Sequence, residues 1–366
     1  MKKKILLGAA LCLAALFLAV AGYAAYVILA YERLEDRLPL TVEGTASAEQ
    51  AEVALGKSYR IASYNLGFGA YSADYSFFMD GGTESRARSP EAVRQNIAGA
   101  LDALEPYDAD FFLFQEVDVD GTRSHHIDEA ALVTRWLGQS FDTVFAQNYD
   151  SPYLFWPLLE PHGANRAGQI TASRFPITQA VRRSLPIEGG FMKFLDLDRC
   201  YSVCRVPVEN GRELVLYHLH LSAYTSDGSI AGEQLDMLLA DMQQEYEAGN
   251  YVVAGGDFNK DILGDSDRVF GNQPGAFTWA QPIPPGQIPP GFSLVAPFDP
   301  EDPVPSCRNA NEAYDPDSSY VVTVGGFLVS DNVQLQDAQV IDTGFQWSDH
   351  NPVYLDFALK DGSALD

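Results

Sequence analysis

The chain has 366 residues, with 50 acidic against 24 basic side chains, a formal net charge of −26 and a pI near 4.4. Proteins that hold nucleic acid nonspecifically neutralise its phosphates with basic patches. The sequence has no lysine or arginine run beyond Lys2-Lys3-Lys4, so duplex nucleic acid is disfavoured as a partner. Its length, less an N-terminal segment, leaves roughly 300 residues, which suits one large α/β domain with a sizeable core.

From Ile5 to Tyr31 the chain is apolar and free of charge, longer than the roughly 20 residues needed to span a bilayer. This predicts a transmembrane helix. Lysines precede it, and Glu32, Arg33, Glu35, Asp36 and Arg37 follow with mixed sign, which places the N-terminus in the cytoplasm and the rest outside. Ala19-Val20-Ala21 and Ala21-Gly22-Tyr23-Ala24 contain small residues of cleavage-site type, so a cleaved signal peptide is the competing account. The length of the run favours an uncleaved anchor. Cys12 follows Leu11 rather than a small residue and does not read as a lipidation site. The expected division is a cytoplasmic tail (1–4), a transmembrane helix (5–31), a juxtamembrane linker (32–56) and a single domain (57–361).

Within that domain, Arg60-Ile61-Ala62-Ser63-Tyr64-Asn65 reads as a strand ending in an amide, and Phe111-Phe112-Leu113-Phe114-Gln115-Glu116 as a buried strand ending in a carboxylate. Between them Ser89-Pro90-Glu91 opens a helix with a cap and an N-terminal proline, and Val93, Ile97, Ala100, Leu101 and Leu104 form its buried face. His125, His126 and His162 read as solvated turn residues. Further on, Lys193 and Arg199 are possible phosphate contacts. Cys200 and Cys204 on one strand would lie about 13 Å apart, too far for a disulfide. With Cys307 they are expected to be buried apolar residues.

A strand from Glu213 to Leu221 carries His218 and His220 at period-2 spacing, so both project from one face. Leu235, Leu238, Leu239, Met242 and Tyr246 mark a second helix, ending at Gly249-Asn250. The apolar run Tyr251 to Ala254 then leads into Gly255-Gly256-Asp257-Phe258-Asn259. Glycines let the backbone approach a ligand closely, and alternation is expected to point Asp257 and Asn259 to one side. Between Gln281 and Ser306 the chain is so proline-rich that no regular element is expected; such a loop could shape a substrate mouth or be a plain surface excursion. Trp347-Ser348-Asp349-His350-Asn351-Pro352 precedes a final strand, Val353 to Phe357. An isolated Asp-x-Asn after two glycines is most often only a turn; the other motifs around it argue for chemistry. Amide, carboxylate and imidazole at strand ends, without zinc-type spacing, suit a hard oxygen-liganded cation such as Mg²⁺, with Mn²⁺ as the alternative.

This ordered set resembles the endonuclease/exonuclease/phosphatase superfamily of metal-dependent phosphohydrolases, which includes DNase I-like nucleases, sphingomyelinases and inositol polyphosphate phosphatases. The resemblance runs from about Lys57 to Leu359. It implies a four-layer α/β sandwich of two mixed β-sheets flanked by helices. It also implies metal and phosphate-site roles for Asn65 and Glu116, an active-site role for His220, and catalytic roles for Asp257, Asn259, Asp349 and His350. His218 is then a neighbour of His220, and Arg199 and Tyr224 are candidates for substrate contact. One position departs from the pattern: Gly325 in Val324-Gly325-Gly326-Phe327 stands where the family carries an aspartate that orients the terminal histidine, with Asp315, Asp317 or Asp331 as candidate substitutes. Loss of such a partner lowers rate without removing binding.

The leading expectation is a membrane-anchored, extracytoplasmic phosphoesterase acting on a phosphate ester such as a lipid headgroup or sugar phosphate. A tethered phosphate-binding protein weakened by Gly325 is the alternative, and an extracellular nuclease, its charge masked by divalent cations, the next. A structural cell-envelope protein is the weakest reading.

Overall fold

The computed structural model describes residues 2–44, 51–189, 193, 198–223, 229–273, 277 and 279–361. In chain order the strands are β1 (Leu38–Pro39), β2 (Val42–Glu43), β3 (Ser58–Asn65), β4 (Phe111–Gly121), β5 (Asp142–Asp150), β6 (Asn165–Ser173), β7 (Gln179–Ser184) and β8 (Cys200–Pro207). They continue with β9 (Glu213–His220), β10 (Tyr251–Asp257), β11 (Phe292–Val295), β12 (Cys307–Arg308), β13 (Val321–Val322), β14 (Gly325–Ser330), β15 (Val333–Val340) and β16 (Val353–Leu359). The α-helices are α1 (Lys2–Ala30), α2 (Pro90–Leu104), α3 (Glu129–Leu137), α4 (Ser229–Glu247) and α5 (Ser266–Phe270).

Two mixed seven-stranded sheets form the body, in the orders β1-β7-β8-β9-β10-β14-β11 and β15-β16-β3-β4-β6-β5-β2. Each holds one parallel pair, β9 with β10 and β3 with β4, among otherwise antiparallel neighbours. Their facing surfaces bury Ile61, Phe111, Leu113, Leu216, Val253, Phe327 and Leu355 in one cluster. Outside the second sheet, α2 and α3 pack Val93, Ile97, Leu101 and Val133 against Phe112 and Phe114. On the outer face of the first, α4 packs Leu235, Leu238 and Met242 against Tyr217 and Val252. Apolar faces covered in this way produce the expected four layers, helix–sheet–sheet–helix.

The α2 face is the one read from the sequence, and Ser89 caps it by accepting a hydrogen bond from Ala92 N at 3.1 Å. In α4 the predicted apolar residues are buried except Tyr246, which is half-buried. All four cysteines are free, and Cys200, Cys204 and Cys307 are buried.

The proline-rich stretch departs from expectation, because it contains β11, paired antiparallel to β14. The window from Gly291 to Ala296 is free of proline, and β11 lies at the sheet edge, where flanking prolines remove no ladder hydrogen bond. The stretch read as a linker also joins the body: β1 pairs with β7, β2 with β5, and Val53 bridges Val208.

Helix α1 is long and apolar enough to cross a membrane and buries only Val27. Beyond it the chain is tied to the domain. Tyr31 Oη donates to Asp198 Oδ1 at 3.1 Å, and Asp36 Oδ1 accepts from Ser184 N at 2.9 Å and Arg183 Nε at 3.0 Å.

Candidate active site

The two parallel pairs bring the C-terminal ends of β3, β9 and β10 to one end of the sandwich beside the middle of β4, which does not stop at Glu116 as expected but runs on to Gly121. In register, Asn65 lies opposite Gln115 and Asp257 opposite His220, so sequence-distant motifs become neighbours.

Glu116 reaches the site through an irregularity in β4. Pairing with β6 jumps between Phe114 and Val117, and Glu116 takes a left-handed φ of 54°. A bulge of this kind re-aims a side chain, and the non-glycine left-handed residue carries about 1–3 kcal/mol of strain held by the surrounding sheet.

On the other sheet, glycine lets β10 pass close to its neighbours. A Cβ on Gly256 (φ 139°) would stand 2.0 Å from Leu219 O, and one on Gly255 would stand 2.6 Å from Phe327 Cδ1. Asp257, the last residue of β10, is 2% exposed. Its Oδ1 accepts from Asn259 N at 2.8 Å and its Oδ2 from Asn65 Nδ2 at 3.0 Å. Asn259 does not continue the strand alternation. It turns left-handed (φ 47°) and donates from Nδ2 to Leu221 O at 2.8 Å, so a turn, rather than the pleat, brings it to the site.

Asn65 ties the two sheets together. Its amide nitrogen faces both Asp257 and Glu116 Oε1 (3.2 Å), while its oxygen accepts from Gly67 N at 3.0 Å. The terminal motif is stitched to the same point: Ser348 Oγ donates to Asn65 O at 2.7 Å and accepts from His350 N at 3.2 Å. His350 Nε2 lies 3.7 Å from Asp257 Oδ2 and 3.6 Å from Cys307 Sγ. His220 Nε2 lies 3.6 Å from the same Asp257 oxygen and 3.9 Å from Glu116 Oε1. Its Nδ1 is buried without a partner among the described residues.

Glu116, His220, Asp257, Cys307 and His350 line a single cavity of about 150 Å³ together with Arg199, Asn259, Asp349 and Ser222, while Asn65 braces its carboxylates from behind. Arg199 is 6% exposed; its Nη1 makes a long contact of 3.5 Å to His220 O, and its Nε has no partner among the described residues. His218, by contrast, is an interior residue, with Nε2 2.6 Å from the Gln115 amide and Nδ1 3.1 Å from Thr171 Oγ1. Lys193 lies over the Tyr31 ring, 5.6 Å from its centroid. Tyr224 lies outside the described residues.

His162 corrects an expectation. Read as a solvated turn residue, it is 4% exposed in the cavity wall, edge-on to Phe68 and with Nδ1 2.8 Å from Ser85 O. A histidine flanked by proline and glycine looks like a turn; burial comes from aromatic residues far away in sequence. His126 is exposed beside Asp120, and His125 contacts Ala87 O at 2.6 Å.

The cavity also holds residues the sequence did not single out. Arg123 is buried against Asp118 at 2.7 Å and lies 4.1 Å from the Phe68 ring centroid. Arg308 donates to the carbonyls of Ser72 and Tyr75, each at 3.1 Å, and of Glu312, also at 3.1 Å, so its charge fixes loops of the wall. Phe68, Tyr71, Phe77 and Trp279 supply aromatic surface. Isolated arginines and aromatics carry no motif; only the fold gathers them.

Burial sets the electrostatics. It pushes the His220 pKa well below the usual imidazole range, helped by Arg199 and His350, so His220 is neutral at neutral pH. Burial raises the Asp349 carboxyl to about 6, with His350 opposing and Glu116 adding to the rise. It lowers His162 to about 4 and His218 to about 3.

Among the described residues, no three His, Cys, Asp or Glu side chains converge as a ready-made cation cage. The donor chemistry nevertheless fits a hard divalent ion. Glu116 and Asp257 face only imidazoles within ion-pair distance among the described residues, and one of these, His220, is neutral. Mg²⁺ is commonly held by one or two carboxylates plus substrate phosphate rather than by an all-protein cage.

Two mixed sheets in a four-layer sandwich, with amide, carboxylates and imidazoles gathered at the parallel-strand ends, define the class of phosphoesterase-type folds. The chain belongs to the Endonuclease/Exonuclease/phosphatase family, whose model matches residues 62–350. Similar solved structures include an endonuclease/exonuclease/phosphatase from Beutenbergia cavernae, 18% identical, TM-score 0.54, covering 83% of this chain and 72% of that one. Another is ANGEL2, a 2',3'-cyclic phosphatase in complex with adenosine-2',3'-vanadate, 16% identical, TM-score 0.55, covering 88% and 99%. A third is the human Nocturnin catalytic domain with a bound sulfate anion, 15% identical, TM-score 0.51, covering 88% and 98%. No curated protein sequence gives a significant match.

Proposed function

We propose that the protein is a divalent-cation-dependent phosphoesterase, anchored by α1 with residues 57–361 as an extracytoplasmic catalytic domain. The observation that carries this reading is the convergence of Glu116, His220, Asp257, Asn259, Asp349 and His350 on one cavity that also holds Arg199, which has no carboxylate within ion-pair distance among the described residues. At about 150 Å³ it is smaller than the roughly 300–1,000 Å³ typical of a site enclosing a drug-sized ligand. It therefore takes a phosphoryl group and leaves most of the substrate outside.

Glu116, with Asn65 beside it, would hold the cation, Mg²⁺ or Mn²⁺, which supplies charge neutralisation at the phosphate. Arg199 binds a phosphate oxygen. His220, neutral through burial, donates a hydrogen bond to another oxygen from Nε2. Asp257, fixed by the Asn259 backbone and the Asn65 amide, orients the attacking water and accepts its proton, with the Asp349 and His350 pair alongside. Membrane attachment and a charge of −26 favour a lipid headgroup or sugar phosphate over duplex nucleic acid. Two proteins of similar fold, solved with adenosine-2',3'-vanadate and with a sulfate anion, support a phosphate-like ligand at such a site.

A second reading, a tethered phosphate-ligand binding protein with little turnover, rests on Gly325. The test is hydrolysis of bis-p-nitrophenyl phosphate and p-nitrophenyl phosphate by the full chain, with Mg²⁺, with Mn²⁺ and with chelator, beside His350→Ala. Cation-dependent turnover lost in His350→Ala is the expected result. Silence on both esters from a folded, cation-binding protein favours the binding reading.

A further inference from the structure

Outside α1, the exposed large apolar side chains of the described residues cluster at the tip of a hairpin, 153–159. There Phe155, Trp156, Leu158 and Leu159 are exposed, Leu159 fully (102%). The hairpin is built, not loose: Leu154 and Gly163 exchange backbone hydrogen bonds of 3.0 and 2.9 Å, and His162 N donates to Trp156 O at 3.1 Å. It is also clasped to α1. Tyr23 Oη donates to Tyr153 O and Tyr153 N donates to Tyr26 Oη, both at 3.0 Å. The Phe155 ring stands edge-on to Tyr23 with centroids 4.8 Å apart.

This contact has a depth. An α-helix rises about 1.5 Å per residue, so a hydrocarbon core of about 30 Å entered at Ile5 ends near residue 24. Tyr23 and Tyr26 then sit at the outer headgroup level, where tyrosine is enriched. Tyr153 and Phe155 line one groove with Ala19 and Val20, roughly a turn below that boundary. A hairpin held against this part of the helix cannot lie in water if the helix spans a bilayer.

We propose that hairpin 153–159 is a second membrane element, inserted into the outer leaflet beside α1, which holds the catalytic domain down on the lipid surface. The proposal rests on the reading of α1 as a membrane anchor. The partner is the bilayer interior rather than an anionic lipid surface, because the exposed side chains from Tyr153 to Leu159 carry no charge. It also connects to the site: the returning arm of the hairpin places His162 in the cavity wall beside Phe77 and Phe78, next to the exposed Met79 at the rim. An enzyme seated this way meets its ester at the lipid surface.

The test uses the full chain in phosphatidylcholine proteoliposomes whose acyl chains carry bromine, a contact quencher of tryptophan. Wild type is expected to lose a component of emission that is absent in Trp156→Phe. Leu158→Asp with Leu159→Asp is expected to cut that component roughly twofold or more by expelling the tip. Equal fractional quenching in wild type and Trp156→Phe overturns the proposal, as does Trp156 shielded only through concentration-dependent self-association. Alkaline carbonate extraction separates the two readings. A chain washed off the liposomes refutes the anchor and the proposal with it, whereas a retained chain with Trp156 blind to bromine refutes the hairpin alone.

Discussion

Glu116 Oε1 and His220 Nε2 approach to 3.9 Å across the seam between the two sheets. Neither sheet alone contains a site: one brings the amide and a carboxylate, the other the imidazole and Asp257. Asn65 crosses the same seam with its amide nitrogen. The site is therefore sensitive to how the sheets pack, and its carboxylates repel one another across the join unless a cation or proton intervenes.

Glu116→Gln removes one of those charges while keeping the shape. Millimolar Mg²⁺ is expected to raise the melting temperature of the wild type and not of the variant, and turnover of a p-nitrophenyl ester is expected to fall about 100-fold or more. Thermal scanning with and without Mg²⁺ checks the first expectation. An undiminished shift in Glu116→Gln would remove this residue as the cation's holder.

Protons compete for the same cluster. The Asp349 carboxyl is raised to about 6 by burial, above its unfolded value near 4. Between these values the folded chain keeps a proton that the unfolded chain has released. This contribution to stability is fully present below pH 4 and is lost as pH rises through 6. Chelated wild type should therefore lose stability between pH 4 and 6.5 relative to Asp349→Asn, and added Mg²⁺ should stabilise the wild type more at pH 7.5 than at pH 5. Urea melts across that range decide it; parallel curves for the two proteins would contradict the assignment.

The sequence displayed this site well because its residues follow apolar runs that stop at a polar residue, at the ends of β3, β9 and β10 and, for Glu116, at a bulge within β4. Asn65, Glu116, His220 and Asp257 could each be placed that way. What stayed hidden depended on distant contacts. The burial of His162, the committed guanidinium of Arg308 and the aromatic wall of Phe68, Tyr71 and Trp279 come from loops brought together only by the fold. The turn at Asn259 and the bulge at Glu116 escaped for another reason: each is a local left-handed residue without glycine, which no alternation pattern marks. Strand β11 was masked by the prolines on either side of it.

Glycine 256 and glycine 325 give opposite expectations for the same substitution. At Gly256 an alanine Cβ would meet Leu219 O at 2.0 Å in a left-handed backbone, whereas at Gly325 the nearest atoms are Val353 Cγ1 at 3.4 Å and Cγ2 at 3.5 Å. Gly256→Ala is expected to lose at least about 2 kcal/mol of stability, and Gly325→Ala to stay within about 0.5 kcal/mol of wild type. Urea unfolding of the two variants side by side tests the contrast.

Arg199 predicts binding without a structural role. Its Nε is unpartnered and no carboxylate lies within ion-pair distance among the described residues, so its burial is unfavourable for folding. Arg199→Ala should leave the melting temperature unchanged or raise it. The same variant should raise KM for a p-nitrophenyl phosphate ester by about tenfold or more, since a charge-assisted hydrogen bond to phosphate is lost. A destabilised variant with unaltered KM would assign the arginine to the scaffold.

Gly325 is the position at which the proposed reaction is expected to be limited. His350 has Asp257 and Cys307 near Nε2, and no other carboxylate is within ion-pair distance of it among the described residues. An imidazole without a second partner is poorly held in tautomer and direction, and such outer partners are commonly worth 10- to 100-fold in activity. The backbone at 325 has room for a side chain, and Ser306 Oγ, which accepts from Gly325 N at 3.0 Å, stands 3.6 Å from where the new Cβ would lie. Gly325→Asp is therefore expected to raise kcat about tenfold with KM little changed, and Gly325→Asn, equal in shape but uncharged, to give none of that gain. Steady-state kinetics on the wild type and both variants would decide the matter: equal rates in three folded proteins would mean that orientation of His350 is already complete without the acid.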